Sequence, residues 1–297
     1  MSDTTEDKYK LPLIEDKYFS KLHTMLLTIG FARSGSSLVG YLLTAHPNMV
    51  IAHEPGIRTL YKAGDIILLL YGILFKNQQM YTRAVEAQKV EIDKIIPASN
   101  EPKTKGSRRT EWYPIVPNQW QNRCKSLEVA GVKESARIAH LLVEGDTLKQ
   151  FTSLVKKKKM SLKFIFTVRN PYDMIATRVR EVMHSKRISE IEKLSKSISV
   201  YERHCVCNKN LLSRIKAKNV FINRHEDMVA DPKDQLTKLC RFLKVKASQD
   251  YLNDCMSVVC PTARESRYEI DWLEEHKERV AKLSEDYDFF AGYSWSS

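Results

Sequence analysis

The chain has 297 residues, a formal charge of +12, and 43% apolar and 28% charged residues, a composition that suits a folded domain attracted to acidic partners. It excludes a long disordered chain, and six cysteines without a C-x-x-C spacing exclude a disulfide-stapled miniprotein and read as reduced thiols. The longest apolar run, residues 66–75, is about half the length of a membrane-spanning helix.

Residues 1–23 are polar and mixed in charge, unlike a signal or transit peptide, so they read as an N-terminal extension and a cytoplasmic location is expected. Residues 24–297 read as one domain. It opens with "TMLLTIGF" (24–31), a short continuous apolar run of the kind buried on both faces of a parallel sheet. "SSLVGYLLTAH" follows with apolar residues at helical spacing, then a second strand, Met49 to Ala52. Residues 57–90 read as helical, and 97–120 as a polar segment suited to a lid or acceptor-binding loop. A third strand falls within 127–135, and the stretch from Ala136 reads as one long helix. The fourth strand lies in 161–171, followed by helices at about 172–187 and 190–215, a strand over 219–227 and an amphipathic helix from Asp231. Strands alternating with helices predict an α/β fold: a doubly wound, mainly parallel sheet with helices on both faces.

The glycine turn between the first strand and its helix carries the chemistry. "GFARSG" has the G-x-x-x-x-G spacing of a phosphate loop, but the following Lys-Ser/Thr pair is replaced by Ser36 and Ser37. Unpaired N–H groups at such a helix start attract an anion, and Ser34, Ser36 and Ser37 add hydroxyls around Gly35. Without the lysine, triphosphate hydrolysis is disfavoured, and Arg33 supplies a cation from the loop itself. A second anion site is expected at Arg169, at the end of the fourth strand, with Thr177 a little over two helical turns further on. Two separated phosphate sites suit a nucleotide with two phosphate groups, bound without a metal.

In these motifs the chain resembles the sulfotransferases that use 3'-phosphoadenosine 5'-phosphosulfate. "FARSGSSL" is similar to their 5'-phosphosulfate loop, "VRNPYDMIAT" to their 3'-phosphate segment, and "HEDMVADPKDQLTKLCRFL" to the strand and helix that follow. The resemblance runs from about residue 26 to 245. It implies a P-loop-like sulfotransferase fold and metal-free in-line transfer of a sulfuryl group to a hydroxyl or amine, leaving 3',5'-adenosine bisphosphate. Arg33, and Leu38 where the steroid and phenol enzymes carry an aromatic residue, bring the loop nearer to tyrosylprotein and bacterial sulfotransferases.

By that resemblance Arg33 and Lys133 stabilise the transition state. His53 is preferred over its neighbour Glu54 as the base, since an imidazole titrates near working pH. Arg169 and Thr177 hold the 3'-phosphate, His225 stands near the adenine in place of a tyrosine, and Arg264, Ser266 and Arg267 lie where the family closes a loop over the cofactor. The acceptor is expected to be a small molecule near residues 66–75 and 110–120, with a glycan or protein acceptor as the alternative. A basic RNA-binding protein is the alternative of another class, and no RNA-binding motif supports it. A homodimer is left open.

Overall fold

A computed structural model describes residues 20–53, 116–120, 126–182 and 188–297. Five strands form one parallel sheet: β1 (Thr24–Gly30), β2 (Met49–His53), β3 (Val129–Lys133), β4 (Ser161–Val168) and β5 (Val220–Arg224), in the spatial order β2-β3-β1-β4-β5. The central position of β1 follows from its sequence, since all seven of its residues are buried. Thr24 pairs with Val129 on one side and Ser161 on the other, and the register runs on to Gly30 opposite Thr167.

Alternate residues of each strand enter two cores. Met25, Leu27 and Ile29 of β1 join Phe164, Phe166 and Val168 of β4 beneath α2 (Ser135–Val143), α3 (Thr147–Lys157), α4 (Pro171–Val182), α5 (Glu190–Arg214) and α9 (Glu274–Asp286). Leu26 and Ile165 face α1 (Ser36–Thr44), α7 (Pro232–Leu243) and α8 (Gln249–Ser257), with α6 (His225–Ala230) at the strand end. The doubly wound architecture is therefore as the alternation predicts.

Two expectations about elements are corrected. The single helix expected from Ala136 is two, because Gly145, with φ +50°, turns the chain between α2 and α3. The strand expected through Asp227 ends at Arg224, and His225 begins α6. A pair of first-turn acids, Glu226 and Asp227, favours that helix start.

Of the segment expected to contact the acceptor, residues 116–120 are described. Trp120 donates its backbone N–H to the Ala45 carbonyl (3.0 Å) and Gln119 Nε2 donates to Asp254 Oδ2 (2.8 Å). These contacts lie beyond the last residue of α1, at the end of the sheet where strands begin, so Trp120 is remote from the strand ends that carry the phosphate motifs. The apolar run 66–75, Cys124 and Glu54 lie outside the described residues.

Candidate active site

The turn after β1 is shaped by three residues in the left-handed region: Gly30 (φ 110°), Arg33 (φ 64°) and Gly35 (φ 79°). A Cβ on Gly30 would stand 2.3 Å from the Thr167 carbonyl oxygen, so only glycine lets β1 leave the sheet this close to β4. At Gly35 the same atom would stand 2.3 Å from His225 Nδ1. Gly35 is also the residue before α1, so the helix start and the His225 ring share one point in space.

The three loop serines separate by role. Ser34 is fully buried, with its Oγ 2.6 Å from the Phe31 carbonyl and 2.7 Å from Thr167 Oγ1, so its hydroxyl fastens the turn. Ser36 Oγ accepts from Ser135 Oγ at 2.8 Å, linking the start of α1 to the start of α2. Ser37 is half-buried in the first turn of α1, where its hydroxyl can meet an anion. Leu38, expected beside the cofactor, packs instead in the α1 core with Val39 and Leu42, because its place in α1 turns it toward the sheet.

Arg169 follows β4 directly and is buried to 7% exposure. Its Nη1 is 3.5 Å from the Arg33 carbonyl, its Nη2 donates to the Arg264 carbonyl, and its buried Nε has no partner. Thr177 Oγ1 donates to Ser266 Oγ at 3.1 Å. The structure thus joins Arg169, Arg264, Thr177 and Ser266, four residues the sequence places in one site from segments about ninety positions apart.

Arg267 departs from that grouping. It is 1% exposed, its Nη1 donates to Asp173 Oδ2 at 2.7 Å and its backbone N–H to Asp173 Oδ1 at 2.8 Å. Its Nη2 donates to Glu265 at 2.5 Å and to the Ser297 carbonyl at 2.8 Å. Its guanidinium is committed to anchoring the 266–269 turn on α4. Arg264 is drawn outward, its guanidinium held in a two-pronged bond by Glu269 (2.6 and 2.7 Å).

His53 and Lys133 end β2 and β3 as register partners, both buried below 10% exposure. The His53 ring stacks on Tyr41 (centroids 4.2 Å apart), and a Cβ on Gly40 would stand 2.7 Å from its Nε2, which is buried without a hydrogen-bond partner. Burial, then the Lys133 ammonium, lower its pKa to about 3. His225 is likewise lowered to about 3, by burial and then by Arg169. Both rings are neutral at working pH.

Several residues at this site carry no motif signal. Tyr201 of α5 donates to the Ala32 carbonyl at 2.8 Å, lies 3.2 Å from the Met174 carbonyl, and stacks against Phe31 (6.0 Å). Two turns on, Asn208 Nδ2 donates to the Gly30 carbonyl at 3.4 Å. Burial raises the Tyr201 pKa strongly, against the opposing pull of Arg178, Arg33 and Arg169, which shows these guanidinium groups gathered around one phenol. Arg178, with a buried unpartnered Nε, is a further cation of this region. Heptad spacing on α5 is the one hint of Tyr201 and Asn208 in the sequence, and it reads equally as a core stripe.

With this geometry in place, comparison with known proteins is informative. Residues 161–249, just under a third of the chain, match the sequence profile of a family described as "Sulfotransferase family". That segment, from β4 through α7, is therefore similar to sulfotransferases. Among solved structures it is similar to the sulfotransferase domain of the Synechococcus PCC 7002 olefin synthase, with 16% identity and a TM-score of 0.52 over 90% of this chain and 94% of that one. The sulfotransferase domain from the curacin biosynthetic pathway aligns with 17% identity and a TM-score of 0.51 over 90% of this chain and 98% of that one. These likenesses carry the fold, the P-loop-like sulfotransferase sheet. No curated protein matches the chain.

Proposed function

We propose that the protein transfers the sulfuryl group of 3'-phosphoadenosine 5'-phosphosulfate to a hydroxyl or amine of an acceptor, in the first instance a small molecule. The observation that carries this reading is the pairing of two anion sites on neighbouring strands. The Gly30–Gly35 turn leaves β1, and Arg169 leaves β4 beside it, with an orphaned Nε and with Thr177 and Ser266 gathered close by. The donor suits these residues: no side chain caps the start of α1, whose N–H groups would receive the phosphosulfate, and the buried Arg169 guanidinium, with its orphaned Nε, would supply a second anion contact.

In the transfer the acceptor oxygen or nitrogen bonds to sulfur as the bond from sulfur to the bridging oxygen breaks. The acceptor's proton goes to a base, and the electron pair leaves with the 5'-phosphate. Arg33 and Lys133 stabilise charge growing on the bridging oxygen. Arg169 would exchange its carbonyl contacts for phosphate oxygens, and His225, neutral against Gly35, packs beside the adenosine without adding charge. The proton is taken by His53 or by Glu54. Burial makes His53 a weak base, which moves the balance toward Glu54 with His53 orienting it.

The test is calorimetric titration of 3',5'-adenosine bisphosphate, and separately of magnesium ATP, into wild type and Arg169→Ala. Micromolar binding of the bisphosphate, weakened at least about tenfold by the substitution, is expected. Preference for magnesium ATP would overturn the reading.

A further inference from the structure

At the other end of the sheet the strand starts gather a second, separate concentration of positive charge. We propose that this end is a docking face for an anionic lipid surface. The parallel topology creates it: every strand begins there, and the helices that precede or cover the strands end there. The C-terminal turn of α3 and the loop into β4 bring Lys156–Lys159, the loop into β5 brings Lys216 and Lys218, and the end of α7 brings Lys244 and Lys246. All eight of these side chains belong to exposed residues, and among the described residues none is in an ion pair.

Part of this crowding is visible at Lys163 on β4, which has Lys218 and Lys244 around it. Its Nζ donates to the Lys218 carbonyl at 2.9 Å and sits 4.7 Å above the Phe242 ring of α7. Burial, then the ammonium groups of Lys244 and Lys218, pull its pKa below the usual lysine value. Some carboxylates lie toward the opposite flank, with Glu128 3.8 Å from His23 and Asp250 and Asp254 lining a cleft with Trp120 and Asn118, while exposed Glu144 and Asp146 follow α2, whose Val143 carbonyl is 3.5 Å from Arg214 Nη1.

The chemistry of the row selects its partner. Point charges on long flexible stems suit a diffuse anionic plane, whereas single-stranded nucleic acid calls for exposed aromatic platforms. Among the described residues the exposed aromatic ring is Tyr268, in the turn that packs on α4 beside the strand-end site. A chain docked by this face would turn its Gly30–Gly35 loop away from the lipid. The proposal is independent of the donor and acceptor readings above.

The test is sedimentation of the full chain with vesicles of phosphatidylcholine alone or containing about 30% phosphatidylserine, in about 0.05 M and about 0.5 M salt. Binding to the anionic vesicles alone, lost at high salt, is expected. Lys157→Glu/Lys218→Glu/Lys244→Glu should weaken it at least about a hundredfold, at about fivefold or more per lysine, while thermal stability and bisphosphate binding remain those of wild type. If that variant fails to fold, the corresponding glutamine variant serves, with a loss of about a hundredfold expected. Equal binding to both vesicle types, an unchanged variant, or tighter binding to duplex DNA than to anionic vesicles would overturn the proposal.

Discussion

Replacing Gly35 by alanine attacks the turn between β1 and α1 at its most crowded point. The backbone there has φ 79°, which costs a residue with a Cβ about 1–2 kcal/mol. The new methyl would also stand 2.3 Å from His225 Nδ1, 3.0 Å from Cγ and 3.1 Å from Cε1, so the whole ring must retreat by roughly 1 Å to reach van der Waals contact. That retreat is resisted. The next residue, Glu226, accepts from the Asn170 backbone N–H at 2.9 Å and from the Tyr293 hydroxyl at 2.6 Å, so the start of α6 is held. Overpacking of this kind adds about 1–3 kcal/mol. The sum, about 2–5 kcal/mol, should weaken 3',5'-adenosine bisphosphate by at least about thirtyfold in calorimetry. The double variant Gly35→Ala/His225→Ala removes the collision and keeps the backbone cost, so it should bind more tightly than Gly35→Ala alone. A single variant that binds within threefold of wild type, or a double variant showing no relief, would refute this account of the loop.

Tyr201→Phe keeps the stack on Phe31 and removes the hydroxyl that reaches the Ala32 carbonyl, so calorimetry should show bisphosphate affinity falling about fivefold or more, as for one lost hydrogen bond of about 1 kcal/mol. Asp173→Asn leaves the buried Arg267 charge without its main partner, and chemical denaturation should show a loss of about 3–5 kcal/mol. His53 and His225 have folded pKa values of about 3 against an ordinary 6.5, so their contribution is intact above pH 6.5 and is lost as pH falls from 6.5 toward 3. Denaturation curves at pH 7 and pH 5 should differ by about 2 kcal/mol for each buried ring, and His53→Gln should cancel its own share. If Glu54 is the base, Glu54→Gln should lower kcat by at least about a hundredfold while His53→Gln lowers it less.

The parts legible in the sequence were those whose geometry is local. The strand, glycine turn and helix around Gly30 and Gly35 announce themselves by composition, and Arg169 is placed by the strand it ends. Element boundaries were lost where one residue decides them, as at Gly145, or where acidic residues start a helix after a strand, as at His225. The contributions of Tyr201 and Asn208 were hidden because a side chain about 170 positions from the loop reaches it only after α5 has packed on the sheet. The pairing of Arg267 with Asp173, 94 residues away, was hidden for a related reason.

β1 and β4 are hydrogen-bonded neighbours, with Gly30 level with Thr167 and Arg169 two residues beyond. The backbones from which the Gly30–Gly35 turn and Arg169 leave the sheet are therefore held at the spacing of adjacent strands, about 4.8 Å, which is set by backbone hydrogen bonds. Mutation can remould helices, loops and the acceptor pocket without rescaling that ruler. Substitutions in the surrounding helices and loops therefore have wide latitude, whereas the placement of the glycine turn relative to the Arg169 backbone changes only with the sheet itself.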